Sequence, residues 1–193
     1  MLDDLCNLLG ALGKPIKLAF ADVKDKASTL KKNKAFMVNE FNKPEGVSIQ
    51  DAILTEIDLK VIKCNGENNH KILPKSKKDT WEWTYVSTGR HLVRMWWFTD
   101  CLSRVFNAFV TDENIHPFNV IKDAYDASFA AHHPWIIRKG AHLGMRASPS
   151  REVVFTYANI KQSSDLTRSR DGLLIVEKAI NRFLTQHNLK DLP

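Results

Sequence analysis

Residues 89–110 read GRHLVRMWWFTDCLSRVFNAFV, a long apolar stretch with two arginines near its start. On a helix, residues four apart share a face. One such stripe contains Arg90, Arg94, Trp97, Cys101, Val105 and Ala108. A guanidinium stays charged at any ordinary pH, and a buried charge without a partner is costly. The stretch therefore predicts a core helix over about residues 80–110. Its two arginines predict a binding site for an anion. Alternatively, both arginines extend their charged ends into solvent at the end of the helix.

Helical spacing of apolar residues recurs through most of the chain, whereas strand-like alternation is rare. Ser48 and Asp51 form a candidate capping box, and Pro15, Pro117 and Pro134 suit the first turns of helices. The predicted helices cover 2–12, 15–31, 48–61, 80–110, 117–133, 134–149, 150–160 and 164–187. We expect an all-α fold with almost no strand, formed as one domain over residues 1–193.

The formal net charge of +6 permits a nucleic acid or an anionic membrane surface as a partner. Much of the excess lies in KKNK (31–34) and KSKK (75–78), and we expect both runs in solvated surface loops. Three scattered cysteines fit a reduced, cytosolic protein, and no motif for a metal or a phosphate-binding glycine loop is present. We also expect no membrane span, because no apolar run approaches the required length of about 20 residues.

Further polar residues lie beside apolar faces. Asp22 and Lys26 are four apart in the second predicted helix, and His132 and His133 precede PWIIRK at a corner between helices. The first pair also fits a simple acid–base pair on a solvated face, and a histidine at a corner also fits a surface or capping role. Cys101 lies in the middle of an apolar helix face, where thiols are usually inert.

In this order and spacing, these residues resemble the glycolipid transfer protein family. The motifs that carry the resemblance are Asp22 with Lys26, Arg90 with Arg94, His133-Pro134-Trp135, and the continuation GAHLGMRASP. The resemblance extends to about residue 187, and it implies a two-layer helical sandwich that encloses a pocket for lipid chains. It also implies a non-enzymatic carrier that needs no cofactor.

Within this family, the resemblance favours the phosphate-binding branch, which carries ceramide-1-phosphate. The sugar-binding branch has Asn after the aspartate and a tryptophan platform on the central helix, whereas this sequence has Lys26, Arg90 and Arg94. Three positive charges and the negative Asp22 nearly balance a phosphomonoester of about −1.5 to −2. An uncharged sugar would leave roughly two positive charges uncompensated.

The resemblance assigns a role to each candidate site residue. Lys26, Arg90 and Arg94 would bind the phosphate, Asp22 would accept from the ceramide amide N–H, and His133 would donate to the amide carbonyl. Trp135 would enter the membrane interface. Candidate lining residues for the lipid chains are Phe20, Phe98, Phe106, Phe109, Phe129, Ile136, Phe155 and Phe183. Only 21 residues precede Asp22, so the N-terminal segment that covers the chains in relatives is expected to be short.

The expected partners are a sphingolipid ligand and, transiently, a membrane surface, with no nucleic acid. We expect a cytoplasmic monomer that is peripheral at membranes. Four alternatives remain open at this point: a neutral glycolipid carrier, a lipid-sensing protein of the same fold, a basic nucleic-acid binder, and an enzyme that uses Cys101 or His133.

Overall fold

The computed structural model describes residues 14–157 and 159–192, with side chains over 25–156 and 159–192. Within these ranges the helices are α1 (Lys14–Phe41), α2 (Ile49–Asp58), α3 (Thr88–Thr111), α4 (Pro117–Ser128), α5 (Trp135–Met145), α6 (Arg151–Tyr157) and α7 (Ser163–Gln186). Short 3-10 helices occur at Asn69–Lys71, Lys75–Lys77, Trp81–Trp83 and Ala130–His132. Strand pairing among the described residues is limited to an isolated bridge between Asn65 and Val86. The predicted all-α class is confirmed, while the predicted helix at 2–12 lies outside the described residues.

Two helix starts follow the predicted local chemistry. Before α2, the Ser48 hydroxyl accepts from the Asp51 backbone N–H at 3.0 Å, and the Asp51 carboxylate accepts from the Ser48 N–H at 3.4 Å. This is the predicted capping box. Pro117 occupies the first turn of α4, and the preceding His116 ring accepts from the Phe118 N–H at 3.1 Å. Each start satisfies backbone donors that the helix itself leaves open.

The two largest errors in the predicted boundaries lie in α1 and α3. Helix α1 continues to Phe41, so the lysine run at 31–34 lies on a helix and not in a loop. The run contains Asn33, which is buried, and Met37 follows one turn later at 0% exposure, so tertiary packing continues the helix. Helix α3 begins at Thr88 and not near residue 80, because Trp81 belongs to a 3-10 turn that packs against other aromatic rings.

The chain divides into two compact units. Among the described residues, the first unit consists of Lys24–Met95 together with those from Arg182 onward. The second unit consists of the described residues up to Val23 together with those of Trp96–Asn181.

The core of the first unit is partly aromatic. Its buried members are Met37, Val47, Ala52, Val61, Cys64 and Tyr85. The Phe36 ring lies 4.7 Å from Trp81 and 5.6 Å from Tyr85, measured between ring centroids. Such edge and tilted contacts add to the stabilisation from burial. The indole and phenol rings thus hold the segment before α3 against α1.

The polar loop before α3 is organised around the fully buried Asn69. Its side-chain oxygen accepts from the N–H groups of Asn65 at 2.7 Å and Gly66 at 3.1 Å. Its side-chain nitrogen donates to the carbonyls of Glu82 and Tyr85, both at 2.8 Å. Because a single amide satisfies four backbone groups, the loop has a defined path up to the start of α3.

The second unit has an apolar core at the C-terminal end of α3. The buried residues Phe109, Val120, Val154 and Leu166 form its centre. Arg151 closes this helix end, because its guanidinium donates to the carbonyls of Phe109 at 2.8 Å and Asp112 at 2.9 Å. The same guanidinium lies over the ring of Phe155, 4.5 Å from its centroid.

The stripe on α3 that was predicted to enter the core is only partly covered. All six residues from Arg90 to Ala108 on that stripe are half-buried. The most buried apolar residues of the helix are Leu92, Val93, Leu102 and Phe109. The two arginines therefore share a face that is partly covered and not the face that enters the core.

Candidate functional site

The first turn of α3 is fixed by a buried carboxylate. Glu56 of α2 has 0% exposure and accepts from the backbone N–H groups of Thr88 and Gly89 and from the Tyr85 hydroxyl at 2.7 Å. These backbone groups have no partner within the helix, and a negative charge at a helix N-terminus is favourable. Burial nevertheless raises the pKa of Glu56, while the hydrogen bonds partly offset that effect. The start of α3 is thus set by a contact from another helix.

Ser87 and Asn33 hold the same turn from two other directions. The Ser87 hydroxyl donates to the Ile62 carbonyl at 2.7 Å and accepts from the Arg90 N–H at 3.2 Å. The Asn33 side chain of α1 donates to the Val86 carbonyl at 2.8 Å and lies 3.1 Å from the Thr88 hydroxyl. Arg90 therefore extends from a backbone that three separate parts of the first unit position.

Arg90 and Arg94 lie on one face of this turn, as the spacing predicted. Both side chains are half-buried, and an Arg94 guanidinium nitrogen donates to the Arg90 carbonyl at 3.0 Å. Burial and the neighbouring charge of Arg94 lower the pKa of Arg90 to about 10. Arg90 stays charged at neutral pH, but its environment favours the charged form less than water does. An anion at this face would reverse that effect.

Lys26 of α1 lies near enough to His91 for its charge to act on the ring. Its side chain is half-buried, and its charge acts on the His91 imidazole together with those of Arg94 and Arg90. The structure thus brings together Lys26, Arg90 and Arg94, three of the predicted site residues, within the first unit. The backbone of Asp22 lies four residues earlier in α1, and its side chain lies outside the described residues.

The sequence reasoning missed His91, which lies directly after Arg90. Its side chain is only 8% exposed, and neither ring nitrogen has a hydrogen-bond partner among the residues that the structure describes. Burial and the charges of Lys26, Arg94 and Arg90 lower the pKa of His91 to about 4. The imidazole is therefore neutral at physiological pH. A histidine between two arginines of a predicted site was the available signal.

His133, the fourth described site residue, lies in the second unit between α4 and α5. Its Nδ1 is 2.8 Å from the Tyr125 hydroxyl, and its ring packs on Phe129 with centroids 5.6 Å apart. A Tyr125 hydroxyl that donates to Nδ1 leaves the proton of a neutral imidazole on Nε2. His133 is thus held by specific contacts and is more than a surface residue at a corner.

Trp135 begins α5 and lies at an exposed apolar surface, the α5 surface, formed by Trp135, Ile136, Ile137 and Leu143. Trp135 is 62% exposed and Ile136 66%, values that are unusual for large apolar side chains. Lys139 lies over the Trp135 ring at 5.6 Å. Ile136 was predicted to line a lipid-chain pocket, and this prediction is wrong because the side chain faces outward. Sequence reasoning chose Trp135 for the membrane interface, assigned Ile136 to the pocket and did not name Ile137.

Cys101 does not have the environment of a nucleophile. Burial raises the pKa of its thiol to about 11, whereas reactive cysteines have lowered values. Among the described residues, no group of three His, Cys, Asp or Glu side chains is arranged to hold a metal ion. Within the same ranges, each helix is too short or too polar to cross a bilayer.

Comparison with known proteins gives a family match. The sequence model of the glycolipid transfer protein (GLTP) family matches residues 1–159. Among curated relatives, the ceramide-1-phosphate transfer protein of Bos taurus is 33% identical over 75 residues, which cover 37% of this chain and 35% of the relative. That of Xenopus laevis is 31% identical over 88 residues, covering 44% of this chain and 41% of the relative. The aligned regions thus span well under half the length of these relatives.

Solved structures show the same fold. Human ceramide-1-phosphate transfer protein in complex with 12:0 ceramide-1-phosphate matches with a TM-score of 0.74 at 20% identity, over 98% of this chain and 85% of that chain. The apo form of Arabidopsis ACD11 (accelerated-cell-death 11) matches with a TM-score of 0.69 at 18% identity, over 94% and 80%. At these identities the likeness establishes the fold alone.

Proposed function

Because this chain belongs to the glycolipid transfer protein family, we propose that it carries a phosphorylated sphingolipid between membranes. Ceramide-1-phosphate is the candidate ligand, and no covalent step is required. The observation that carries this proposal is the grouping of Lys26, Arg90 and Arg94 around a buried, neutral imidazole. A neutral glycolipid headgroup would leave these three positive charges uncompensated.

The charge balance supports a phosphate. A phosphomonoester carries about −1.5 to −2 at neutral pH. Lys26, Arg90 and Arg94 carry three positive charges, and a bound phosphate compensates at least half of them. Arginine also matches phosphate oxygens with two parallel hydrogen bonds, which a lysine cannot do. The pKa of Arg90 is lowered because its surroundings disfavour the charged guanidinium, and a bound anion would stabilise that charged form.

We assign the ceramide amide to Asp22 and His133, on the family motifs that contain them. Asp22 accepts from the amide N–H, and His133 donates to the amide carbonyl. The contact of 2.8 Å between His133 Nδ1 and the Tyr125 hydroxyl supports the second assignment when the hydroxyl is the donor, because the N–H of the neutral ring is then on Nε2. Tyr125 thereby becomes a positioning residue for His133.

The lipid chains require an apolar environment in the carrier. Burying a methylene contributes about 0.8 kcal/mol, so some 30 methylenes amount to roughly 25 kcal/mol of gross transfer free energy. Exchange with a membrane is rapid only if the carrier offers nearly the same gain. We assign the contact with the chains to half-buried aromatic residues that pack around the core of the second unit, chiefly Phe98, Phe106 and Phe155.

The α5 surface is the proposed contact with the membrane. It combines an exposed indole with exposed isoleucines, and Arg138 and Lys139 follow directly in the sequence. Indole rings are favourable at the bilayer interface, and basic residues favour anionic leaflets by about 1 kcal/mol each. We propose that the protein acts as a monomer, peripheral to membranes on the cytoplasmic side. The single-domain prediction also stays a proposal, supported by a family match that includes residues of both units.

A vesicle-to-vesicle transfer assay tests the proposal. Donor vesicles contain fluorescent ceramide-1-phosphate or, in a parallel series, a neutral glycosylceramide with the same chains. We expect the protein to accelerate transfer of the phosphate lipid and to leave the neutral lipid near the spontaneous rate. Faster transfer of the glycosylceramide would refute the phosphate assignment. Binding of ceramide-1-phosphate without transfer would indicate a lipid-sensing protein of the same fold.

A further inference from the structure

His91 is a buried polar side chain whose hydrogen-bonding capacity is unused. Its exposure is 8%, and both ring nitrogens are buried without a hydrogen-bond partner among the described residues. Buried polar side chains in folded proteins nearly always have a partner, so an exception calls for an explanation. Packing alone does not explain this imidazole, because burial of an apolar side chain at the same position would cost less free energy.

The surroundings of His91 identify the missing partner as an anion. Among the described residues, the charged groups that act on the ring are Lys26 and Asp25 from α1, and Arg90 and Arg94 from its own helix. The three cations disfavour a proton on the ring, and Asp25, which is exposed, opposes them only in part. A neutral imidazole has one N–H donor and one acceptor nitrogen. The three cations repel any further positively charged group. They attract an anion, whose oxygens accept a hydrogen bond from the imidazole N–H.

We propose that His91 is a fourth phosphate-binding residue, which donates a ring N–H to a phosphate oxygen of the bound lipid. This inference rests on the proposed function and extends it to a residue outside the family motifs quoted above. It has a second consequence. A bound dianion compensates the charges of Lys26, Arg90 and Arg94, so the pKa of His91 rises from about 4 when the lipid binds. Lipid binding is then linked to proton uptake, and a lower pH favours the bound state.

Matched variants separate this role from a packing role. His91→Gln keeps an N–H donor that cannot titrate, whereas His91→Leu removes the donor at similar volume. His70→Gln is the control, since His70 is an exposed histidine of the same unit. The probe is a short-chain ceramide-1-phosphate, and its affinity is measured at pH 7.5 and pH 5.5. The phosphate itself titrates near pH 6, an effect that is common to all variants and cancels in the comparison.

We expect His91→Leu to weaken binding by about tenfold, since a hydrogen bond to a charged group is worth that factor or more. His91→Gln should bind within about threefold of the wild type at pH 7.5 and lose relative affinity at pH 5.5, because it cannot take up a proton. His70→Gln should match the wild type at both values. Equal affinities for wild type and both His91 variants at both pH values would overturn the inference.

A measurement on the unaltered protein covers the case in which the His91 variants do not fold. Histidine ring nitrogens are followed by NMR in ¹⁵N-labelled protein, with and without the same lipid. We expect the ring resonances of His91 to shift and their titration midpoint to rise on binding. Unchanged resonances and an unchanged midpoint would exclude His91 from the site. If the wild type itself does not bind ceramide-1-phosphate, both the proposed function and this inference fail. If Arg94→Leu abolishes binding but the resonances of His91 do not respond to the lipid, only the inference is overturned.

Discussion

The Glu56 carboxylate of α2 accepts a hydrogen bond from the backbone N–H of Gly89 at 3.0 Å, one residue before Arg90. The same carboxylate accepts from Thr88 and Tyr85. The arginine face of α3 therefore depends on a residue more than thirty positions earlier in the chain. Glu56 thus sets the start of the helix that carries Arg90 and Arg94.

Removal of this carboxylate should destabilise the first unit. Glu56→Ala leaves two backbone donors and the Tyr85 hydroxyl buried without their partner, and each such loss costs about 1–3 kcal/mol. We expect the free energy of unfolding to fall by at least about 3 kcal/mol. Glu56→Gln keeps one acceptor oxygen and should lose less. Urea unfolding at pH 7, followed by circular dichroism, measures both, and a Glu56→Ala variant as stable as the wild type would contradict the capping role.

The buried His91 should make the protein sensitive to acid. In the unfolded chain its imidazole binds a proton below about pH 6.5, whereas in the folded protein its pKa is about 4. Between these values the unfolded state binds more protons, so stability falls as the pH falls. The loss is at most about 3 kcal/mol.

The comparison with His91→Gln isolates this effect from carboxylates. Glu56 acts in the opposite direction, because its raised pKa means that the folded state binds a proton more readily than the unfolded state. Both proteins share Glu56, so only the difference between their unfolding free energies at pH 7 and pH 4.5 is informative. We expect that difference to grow in favour of the variant at low pH. A constant difference would place His91 in a more solvated environment than its burial indicates.

The sequence predicted what depends on local spacing and failed where distant contacts decide. The pairing of Arg90 with Arg94 follows from helical periodicity alone. Glu56 was missed because its burial depends on contacts between helices, and no local pattern distinguishes it from a surface residue. The burial of His91 also depends on such contacts, and its place between Arg90 and Arg94 was the local signal. Ile136 was assigned to a pocket because it is apolar, yet an apolar side chain fits a membrane-facing surface equally well. Asn33 was read as part of a solvated lysine run although its amide joins α1 to the start of α3.

The α5 surface supplies a prediction about membrane binding. Ile136→Ser removes an exposed apolar side chain whose burial in a membrane is worth about 1.5–3 kcal/mol. We expect affinity for anionic vesicles to fall by about tenfold or more, without loss of thermal stability. Ile175→Ser is the matched control, since Ile175 is 71% exposed in the same unit but lies on α7. Equal loss in both variants, measured by vesicle sedimentation, would show that general hydrophobicity and not this surface drives binding.

Asp22 should distinguish ceramide-based lipids from other phosphate lipids. Asp22→Val removes the proposed acceptor for the amide N–H. Transfer of ceramide-1-phosphate should fall by about tenfold or more, because a charge-assisted hydrogen bond is lost. Phosphatidic acid has no amide, so any transfer of it should be much less affected. Parallel transfer assays with both lipids measure the ratio, and an equal loss for both would assign Asp22 to the phosphate or to the fold.

Arg94 provides the sharpest test of the site. Arg94→Leu removes one charge and a paired donor from a half-buried face, where each charge-assisted hydrogen bond contributes about 1.5–3 kcal/mol. Transfer of ceramide-1-phosphate should therefore fall by at least about tenfold, since that factor corresponds to about 1.4 kcal/mol. Folding should survive, because the loss of its contact with the Arg90 carbonyl is offset by relief of the repulsion between the two guanidinium groups.

Arg104→Leu is the control on the same helix, since Arg104 is exposed and pairs with Asp100 at 2.9 Å. Arg94→Lys should give an intermediate rate, because it restores the charge without the planar pair of donors. If Arg94→Leu unfolds in circular dichroism melts, or transfers the lipid as fast as Arg104→Leu, then Arg94 serves the fold or faces solvent and the phosphate binds elsewhere.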